Sequence, residues 1–521
     1  MKACIICILL MMQLAYACKK SGMDNARLEL VSGKTYYVDA QNGDDTKSGT
    51  SEALAWKTLS KVNATTFQPG DSLLLKRGSV WAAQLYPKGN GTATNPITIG
   101  AYGTGNRPLI ALGGTVGGAV YLFNQSNWTI QHLEVTNQAS SRGTTFRSGI
   151  LVQNEGGGIV SNIRILDNYV HNVSGTFRYG AFDPHAFGGI SLVTTGTAGA
   201  DKFDNILIQE NRVEAAGRTG IVVWDNVWSG AGQASENVKI RQNTVKDIDS
   251  DGILTFGCNG ALVEYNVANT CGNYAELGQF NGSCAIWCTR GADCVVQYNE
   301  AYNTQALMDN ADGQAFDLDY DAVRGVVQYN YSHDNAGGFV LFINGGTTTN
   351  NCIVRYNISQ NDKRSLITFA GGVAPNSQIY NNTFYIKAGL NTNIIDHSWD
   401  LDMTPAYAFK NNIVYNLGSG VYKIPGTNGA FDYNHYYGNH PVSEPAELHK
   451  LTTDPLLVNP GGGGTGIATV DGYQLRAGSP ALNTGVAMPG NGGKDYWGNV
   501  ILAAGAPNRG AFNGAGITGL P

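Results

Sequence analysis

Charged side chains are scarce in this sequence: Asp, Glu, Lys and Arg make up 14% of the 521 residues, and the formal net charge is −6. No block of lysines and arginines occurs, which argues against nucleic acid as a partner. An acidic polymer stays compatible with this composition, because the charge of a local surface can differ in sign from the net charge. Glycine, by contrast, is abundant at 68 residues. Together with many asparagines it favours short strands separated by turns over a helix-rich fold.

Long apolar runs are also missing after the first eighteen residues, and no later stretch has the roughly 18 apolar residues that a spanning helix needs. A lysine at position 2 is followed by an apolar run over residues 5–14 and by Ala-Tyr-Ala before Cys18. This layout predicts a signal peptide over residues 1–17, and the small residue before Cys18 resembles a bacterial lipoprotein cleavage site. We expect export, lipidation of Cys18 and a tether over residues 18–33. The lipid would be the only membrane contact and would anchor the chain in the outer membrane, in the periplasm or at the cell surface. Ordinary cleavage with release is the alternative.

Six cysteines lie beyond this start, and export permits disulfides among them. No pair of histidines or cysteines has the spacing of a zinc site. We therefore expect buried thiols or one or two disulfides, with the pairing left open, among Cys258, Cys271, Cys284, Cys288, Cys294 and Cys352.

A degenerate repeat dominates the middle of the chain. The pattern Asn-Ile-x-Ile-x-x-Asn-x-Val, or a close variant, occurs at 162–170, 205–213 and 237–245. Its second asparagine recurs every 23 to 43 residues, at Asn168, Asn211, Asn243, Asn266, Asn299, Asn330 and Asn357. A period that wanders with loop length is typical of a solenoid, and short alternating strands without intervening helices indicate a parallel β-helix. We expect the asparagines to stack and to bond the backbone groups that the turns leave unpaired.

A second strand recurs between these asparagines and starts with a Gly-apolar pair. We align the copies on one core-facing residue each, at Ile150, Ile190, Ile221, Ile253, Ile286, Phe316, Phe339 and Leu366. Strand alternation then sends the residues one and three positions later outward. The outward set includes three large rings and a pair of carboxylates, namely Trp224, Phe256, Trp287, Asp317 and Asp319, with Val340, Phe342, Ile367 and Phe369 in the last two coils. Two interpretations of this apolar face are open. In the first, a long loop or the C-terminal tail covers it; in the second, the rings form a sugar-binding groove. Both can hold if loops such as residues 270–283 wall the groove.

The strongest chemical signal is a cluster of acids at Asp309, Asp312, Asp317, Asp319 and Asp321. Asp317 and Asp319 share one strand face, and two strand residues span roughly 6.6 Å. Glycosidases need one protonated and one ionised carboxyl, so this pair, supported by Asp251, is the candidate catalytic set, and the spacing leans toward inversion. Oxygen ligation of Ca²⁺ by Asp312, Asp317, Asp319 and Asp321 is the competing interpretation, and simple turn capping is the third.

Further polar residues stand near the entrances and exits of the same strands. Beside the rings of Trp224, Phe256 and Trp287, the candidate substrate contacts are Asp225, Glu276, His185, His333 and Arg364. Each could equally be a turn cap or a surface charge.

The two ends of the chain are predicted to close a single β-helix domain. Residues 34–450 are predicted to form the β-helix, with an amphipathic stretch from Trp56 to Val62 as an N-terminal cap helix. The Gly/Pro-rich residues 451–521 are predicted to close the other end. The segment PITIGAYGTGNRPLI (96–110), the opening YYVDAQNGDD and the closing SPALNTG…DYWGN…RGAF resemble secreted right-handed parallel β-helix proteins of polysaccharide-degrading bacteria. This resemblance covers nearly the whole chain and implies an all-β, single-stranded solenoid.

The resemblance does not settle the reaction, because such proteins include glycoside hydrolases, pectate and alginate lyases, and uronan epimerases. We expect a hydrolase that acts on a polysaccharide or oligosaccharide, needs no cofactor and works as a monomer. A calcium-assisted lyase acting on a uronate-containing glycan is the runner-up, although no lysine stands among the outward positions to serve as a base. A non-catalytic glycan-binding surface lipoprotein is the third interpretation.

Overall fold

The computed structural model describes residues 33–518, except 197–199, 226–233, 277–278, 280–281, 308–311, 346–348, 373, 398–405 and 426–429. The described residues belong to one compact unit that begins at Gly33. The predicted signal peptide, the lipidation site Cys18, nearly all of the tether and Asp309 lie outside the described residues. None of the described helices is long and apolar enough to cross a membrane.

The described strands form three sheets in which strands from successive coils pair in parallel. The first sheet contains Thr35–Val38, Ser72–Lys76, Ile97–Tyr102, Trp128–Gln131, Ile159–Leu166, Lys202–Gln209, Ser235–Arg241, Cys258–Asn259, Leu262–Glu264, Val295–Gln297, Val326–Gln328, Ile353–Arg355, Gln378–Tyr380, Ala408–Lys410 and Ala430–Asp432. The second sheet contains Val80–Trp81, Leu109–Ala111, Glu134–Asn137, Tyr169–Val173, Arg212–Ala216, Thr244–Ile248, Val267–Cys271, Glu300–Tyr302, Tyr331–His333, Ile358–Gln360, Thr383–Ile386, Ile413–Asn416 and His435–Gly438. The third sheet contains Gly117–Phe123, Arg147–Asn154, Gly188–Thr194, Thr219–Trp224, Asp251–Phe256, Ile286–Thr289, Gln314–Asp319, Gly338–Ile343, Ser365–Ala370, Asn393–Asp396 and Tyr422–Lys423. The predicted parallel β-helix is confirmed.

Helices are short and few among the described residues. One α-helix, Leu59–Asn63, starts where the Thr58 hydroxyl accepts a hydrogen bond from the Lys61 backbone N–H at 3.2 Å. It buries Leu59 and Val62. It is shorter than the predicted amphipathic stretch, because Trp56 pairs with Val38 as an isolated bridge instead. The capping role of this helix stays a prediction. Single 3₁₀ turns lie at Glu52–Leu54, Pro184–Ala186 and Asp471–Tyr473.

A ladder of buried asparagines stands where the chain passes from the first sheet to the second. The Asn299 Nδ2 donates to the Oδ1 of Asn330 at 3.0 Å and to the carbonyl of Val263 at 2.9 Å. In turn, the Asn299 Oδ1 accepts from the backbone N–H and the Nδ2 of Asn266. The same bonding joins Asn168, Asn211, Asn243, Asn266, Asn299, Asn330, Asn357, Asn382, Asn412 and Asn434. The predicted structural role of the repeat asparagines is confirmed.

The C-terminal segment packs along the side of the solenoid formed by the second sheet. Leu457, Tyr473 and Leu475 share an apolar cluster with Tyr331 and Ile358 of that sheet. The backbone N–H of Gly466 also bonds to the Glu300 carboxylate. The described C-terminal residues therefore cover the second sheet, and the suggestion that this tail covers the outward face of the third sheet is wrong.

The six cysteines among the described residues divide into one bonded pair and four thiols. Cys288 and Cys294 form a disulfide, whereas Cys258, Cys271, Cys284 and Cys352 are free and buried. Both predicted fates of the cysteines therefore occur in this chain.

We predict that Asn299→Ala destabilises the fold markedly. It removes the acceptor for two N–H groups of Asn266 and the donor to Val263, and each buried polar group left unpaired costs about 1–3 kcal/mol. The midpoint of chemical denaturation should fall accordingly. The matched control is Asn439→Ala, because Asn439 is exposed and its loss should change the stability by less than about 0.5 kcal/mol. Equal effects of the two substitutions would contradict a stabilising role of the asparagine ladder.

Candidate active site

The third sheet places its outward side chains in rows that run along the solenoid. Ile190, Ile221, Ile253, Ile286 and Phe316 pair in register, as predicted. One residue further along the strands, Trp287 pairs with Asp317. Three residues further along, a single row contains Val193, Trp224, Phe256, Thr289 and Asp319. Since paired strands lie about 4.8 Å apart, rings and carboxylates become near neighbours.

The predicted register is wrong by one residue in the last two coils. Phe316 pairs with Val340 and Val340 pairs with Ile367, so neither Phe339 nor Leu366 is the equivalent residue. Phe342 and Phe369 therefore belong to the core, while Leu341 joins the outward apolar cluster. The cause is the glycine used for alignment. Gly338 pairs with Gln314, two residues before the reference position, whereas Gly252 comes only one residue before it.

A cavity of about 450 Å³ opens over the coils that carry these mixed rows. Its lining comprises Tyr179, Asp183, His185, Trp224, Asp251, Phe256, Gly282, Ser283, Cys284, Trp287, Thr289, Arg290, Asp312, Asp317, Asp319, Tyr320, Ile343 and Gly345. This volume lies in the range of small-molecule sites. The three predicted catalytic aspartates, the three predicted rings and His185 all belong to this lining.

Aromatic rings form one wall of the cavity. Trp224 stacks on Phe256 with ring centroids 3.9 Å apart, and His185 lies parallel to Trp224 at 6.1 Å. Trp287 meets the edge of His185 at 6.0 Å. These rings are held rigidly, since Trp224, Phe256 and Trp287 are all buried. A flat apolar wall of this kind suits the C–H face of a pyranose ring.

Loops cover the N-terminal part of the aromatic row, so both sequence interpretations of this face hold. Phe182, Ala186 and Phe187 pack with Trp224 in one apolar cluster. Tyr179, in the same loop, is 58% exposed at the rim of the cavity. The predicted wall over residues 270–283 contributes Gly282 and Ser283 to the lining. The result is a closed-ended pocket rather than the predicted long groove.

A charged network fixes the base of the aromatic wall. Asp251 accepts hydrogen bonds from the Trp287 indole N–H at 3.1 Å and from the Cys284 backbone N–H at 3.2 Å. The Arg218 guanidinium lies 3.5 Å from the same carboxylate and contacts His185. His185 is bonded through its Nδ1 to Asp183 at 2.6 Å. Although burial opposes it, this contact holds the pKa of Asp183 below its usual value. Asp251 therefore positions Trp287 and stays paired with a cation.

Three further aspartates of the lining lie beside the rings. Asp312, Asp317 and Asp319 are 9%, 4% and 7% exposed. Burial, reinforced by Asp251 and opposed by Arg364 and Arg218, raises the pKa of Asp312 to about 7. Burial also raises the pKa of Asp319 to about 8, against the hydrogen bond from the Tyr320 backbone N–H. Both groups can thus exchange protons near neutral pH.

Asp317 is the third buried acid of this lining, and its carboxyl resists ionisation. Burial raises its pKa well above the usual value, and the charges of Asp319 and Asp312 reinforce the shift. Its Oδ1 is buried and has no hydrogen-bond partner in the described part of the chain. A neutral carboxyl with one unpaired oxygen in a cavity wall is suited to receive a polar group of a ligand.

Two predicted substrate contacts lie outside the cavity. Asp225 follows Trp224 but turns away from the row, because Thr194 and Ser235 donate to its oxygens at 3.1 and 2.8 Å. Burial raises the pKa of Asp225 to about 7. His333 is on the second sheet, between the rings of Tyr302 and Tyr331. The structure brings neither residue into the cavity lining, because proximity in sequence does not determine which sheet or turn carries the side chain.

Glu276 and Arg364 also lie outside the cavity lining. Glu276 accepts from the Arg178 Nε at 2.8 Å and so joins the two loops of the wall. The charge of Arg364 opposes the raised pKa of Asp312. Neither residue belongs to the lining of the described cavity.

The predicted calcium quartet is not brought together. Asp321 has a φ of 57° after the strand has ended, and it pairs with Arg290 at 3.0 Å instead of lining the cavity. Across the described residues, no group of three or more His, Cys, Asp or Glu side chains is arranged to hold a metal ion. A calcium requirement stays a prediction.

Several lining residues had not been predicted. Arg290 and Tyr320 each follow directly after a strand of the third sheet, so extending the outward rows by one residue would have found them. Cys284 precedes such a strand, but the sequence analysis considers it only as a buried thiol or a disulfide partner. Tyr179 belongs to a loop with no repeat signal, and only the three-dimensional structure places it at the cavity.

Comparisons with known proteins give a consistent result. No protein-family profile matches the chain. A lacto-N-biosidase of Bifidobacterium longum subsp. longum is 30% identical, over 92% of this chain and 36% of its own length. Two crystal structures of a GH136 lacto-N-biosidase from Eubacterium ramulus share 26% identity at a TM-score of 0.62, covering 75% of this chain and 68% of theirs. The chain thus spans little more than a third of the bifidobacterial relative. The resemblance to carbohydrate-active β-helix proteins is confirmed.

We predict that Asp319→Asn makes the fold more stable at alkaline pH. The pKa of Asp319 is about 8 in the fold against 3.8 for the ordinary group. The stability that protonated Asp319 contributes in the wild type is therefore fully present below about pH 4 and is lost as the pH rises through 8. Asparagine cannot ionise, and the Tm of the variant should exceed that of the wild type by several degrees at about pH 8 but only slightly at about pH 5.

Asp321→Asn is the matched control, because Asp321 is partly exposed and paired with Arg290. Its Tm should not rise at either pH. A Tm of Asp319→Asn that falls below the wild type at alkaline pH would contradict the raised pKa.

Proposed function

We propose that the chain is a glycoside hydrolase that cleaves an oligosaccharide in this cavity. One observation carries the proposal: three buried aspartates with raised pKa values lie beside aromatic rings in the lining of a pocket of about 450 Å³. Glycoside hydrolysis needs a protonated carboxyl, an ionised carboxyl and a surface on which a sugar ring can lie. The similarity to lacto-N-biosidases over 92% of the chain supports the same reaction type.

Asp319 fits the role of general acid. With a pKa of about 8 it holds its proton near neutral pH, and it can pass this proton to the leaving-group oxygen as the glycosidic bond breaks. A pKa close to the working pH gives the best compromise between holding and donating a proton.

Asp312 fits the role of the ionised partner. Its pKa of about 7 is the lower of the two, and the charges of Arg364 and Arg218 favour its carboxylate form. As a carboxylate it serves as the nucleophile, or as the base that activates water, at the anomeric carbon. This assignment adds Asp312 to the sequence-derived pair and shifts Asp317 from catalysis to substrate holding, where its unpaired oxygen accepts or donates a hydrogen bond.

The pocket shape guides the choice of substrate. Because Tyr179 and its loop end the aromatic row, the cavity suits a short terminal unit of a glycan better than the interior of a long polymer. By analogy with the relatives, we propose that this unit is a lacto-N-bioside. We further propose that the protein is exported, carries lipid on Cys18, works as a monomer and needs no metal for hydrolysis.

The test is to incubate the chain with an aryl lacto-N-bioside and, separately, with a panel of uronate-containing polysaccharides. Release of the aryl group and of the free disaccharide, unaffected by EDTA, is the expected result. Ultraviolet absorbance from a conjugated double bond on the uronate glycans would mean a lyase instead. Binding without turnover of any substrate would mean a glycan-binding protein.

We predict that Asp319→Asn and Asp312→Asn each lower kcat by about 10²–10⁴-fold, since each loses one proton-handling group. Asp317→Asn should raise KM more than it lowers kcat, because it changes a hydrogen bond made to the bound sugar. Asp225→Asn is the matched control: Asp225 is equally buried and its pKa is also about 7, yet it lies outside the cavity. Wild-type kcat in Asp319→Asn or Asp312→Asn would refute the assignment.

A further inference from the structure

A second cavity lies where the C-terminal segment meets a stack of tyrosine rings that contains Tyr265, Tyr298, Tyr329 and Tyr356. It has a volume of about 310 Å³ and is lined by Tyr298, Ile467, Ala468, Asp471, Tyr496 and Trp497. Tyr298 occupies the corner between the first and second sheets, whereas the candidate active site is on the third. None of its lining residues is shared with the active-site cavity.

The two cavities share one structural arrangement. In the active site, the Trp287 indole N–H donates to Asp251 at 3.1 Å. In the second cavity, the Trp497 indole N–H donates to the Asp471 Oδ1 at 2.8 Å. In each case a carboxylate fixes the orientation of an indole ring that lines the cavity, so the ring loses little conformational freedom when a ligand stacks on it.

Trp497 is held at its edges but not covered by a parallel ring. Phe512 meets it at an interplanar angle of 79° and Tyr496 at 58°. The Tyr496 hydroxyl is engaged with the Ile467 carbonyl at 2.7 Å, which fixes the second ring of the wall. The Tyr298 ring is sandwiched between Tyr265 and Tyr329, at 4.9 and 5.0 Å. The aromatic walls are therefore preformed.

The chemistry of this lining selects a class of ligand. Aromatic and aliphatic groups suit an apolar ring face, and the Asp471 carboxylate offers an acceptor to hydroxyl groups. The same carboxylate repels an anionic ligand. A neutral pyranoside combines an apolar C–H face with an edge of hydroxyl donors, and one or two sugar units match the volume.

We propose that this cavity is a non-catalytic binding site for neutral saccharides. It lies apart from the catalytic pocket and would hold a second part of a glycan, or a neighbouring chain of a branched one, while the pocket acts on an end. This proposal goes beyond the proposed hydrolase activity and does not require it, because it concerns binding alone.

The test measures binding of lactose and of N-acetyllactosamine to the full chain by saturation-transfer NMR and calorimetry, in the Asp319→Asn background so that no turnover intervenes. Trp497→Ala should weaken binding at the second site about tenfold or more, since it removes the stacking surface. Asp471→Ala should weaken it as well, because it frees the indole. Trp497→Phe, which keeps a ring, should retain most of the affinity.

Tyr437→Ala is the matched control, because Tyr437 also packs against another ring, at 4.7 Å from Tyr415, but lies outside both cavities. It should bind like the parent. In the otherwise wild-type chain, Trp497→Ala should leave hydrolysis of a small aryl glycoside within about twofold, which separates this site from the catalytic one. Parent-like saccharide binding by Trp497→Ala, or a single binding site that disappears with Trp287→Ala, would overturn the proposal.

Discussion

The hydrogen-bonded register between successive coils determines which side chains of the third sheet become neighbours. Each coil repeats the backbone path of the one before it at a spacing of about 4.8 Å, and the asparagine ladder fixes that repeat at one corner. Residues at equivalent positions of successive coils are therefore held as neighbours on adjacent strands. The register places Trp287 beside Asp317, and Phe256, Thr289 and Asp319 in one row. It thereby sets rings and acids side by side without any dedicated loop.

The same constraint accounts for the chemistry of the pocket. Asp317 and Asp319 leave the same face of one strand, and Asp312 is buried in the same cavity lining. Burial raises the pKa of each of these three acids, and the charge of at least one neighbouring aspartate reinforces each shift. Asp251 has a different environment, because Arg218 lies 3.5 Å from its carboxylate and the Trp287 indole N–H donates to it. The site thus contains one acid that pairs with a cation and positions a ring, and three buried acids with raised pKa values.

Sequence periodicity predicted the features that the repeat itself encodes. The ladder asparagines and the outward row from Trp224 to Asp319 follow from strand alternation, and both are present. The alignment failed at Phe339, because Gly338 stands one residue earlier in its strand than Gly252 does. His333 was misplaced because the repeat does not say which of three sheets a short strand joins. Tyr179 could not be predicted at all, since its loop folds against distant coils through contacts that no local pattern records.

We expect the buried aspartates of the pocket to retain protons near neutral pH, because the fold buries them close to one another. Infrared difference spectroscopy on the chain with isotope-labelled aspartate can measure this, because protonated and ionised carboxyls absorb at different frequencies. We expect protonated aspartate bands near neutral pH that diminish above about pH 8 and that weaken in Asp319→Asn and Asp317→Asn. Spectra in which every aspartate is already ionised near neutral pH would contradict this expectation.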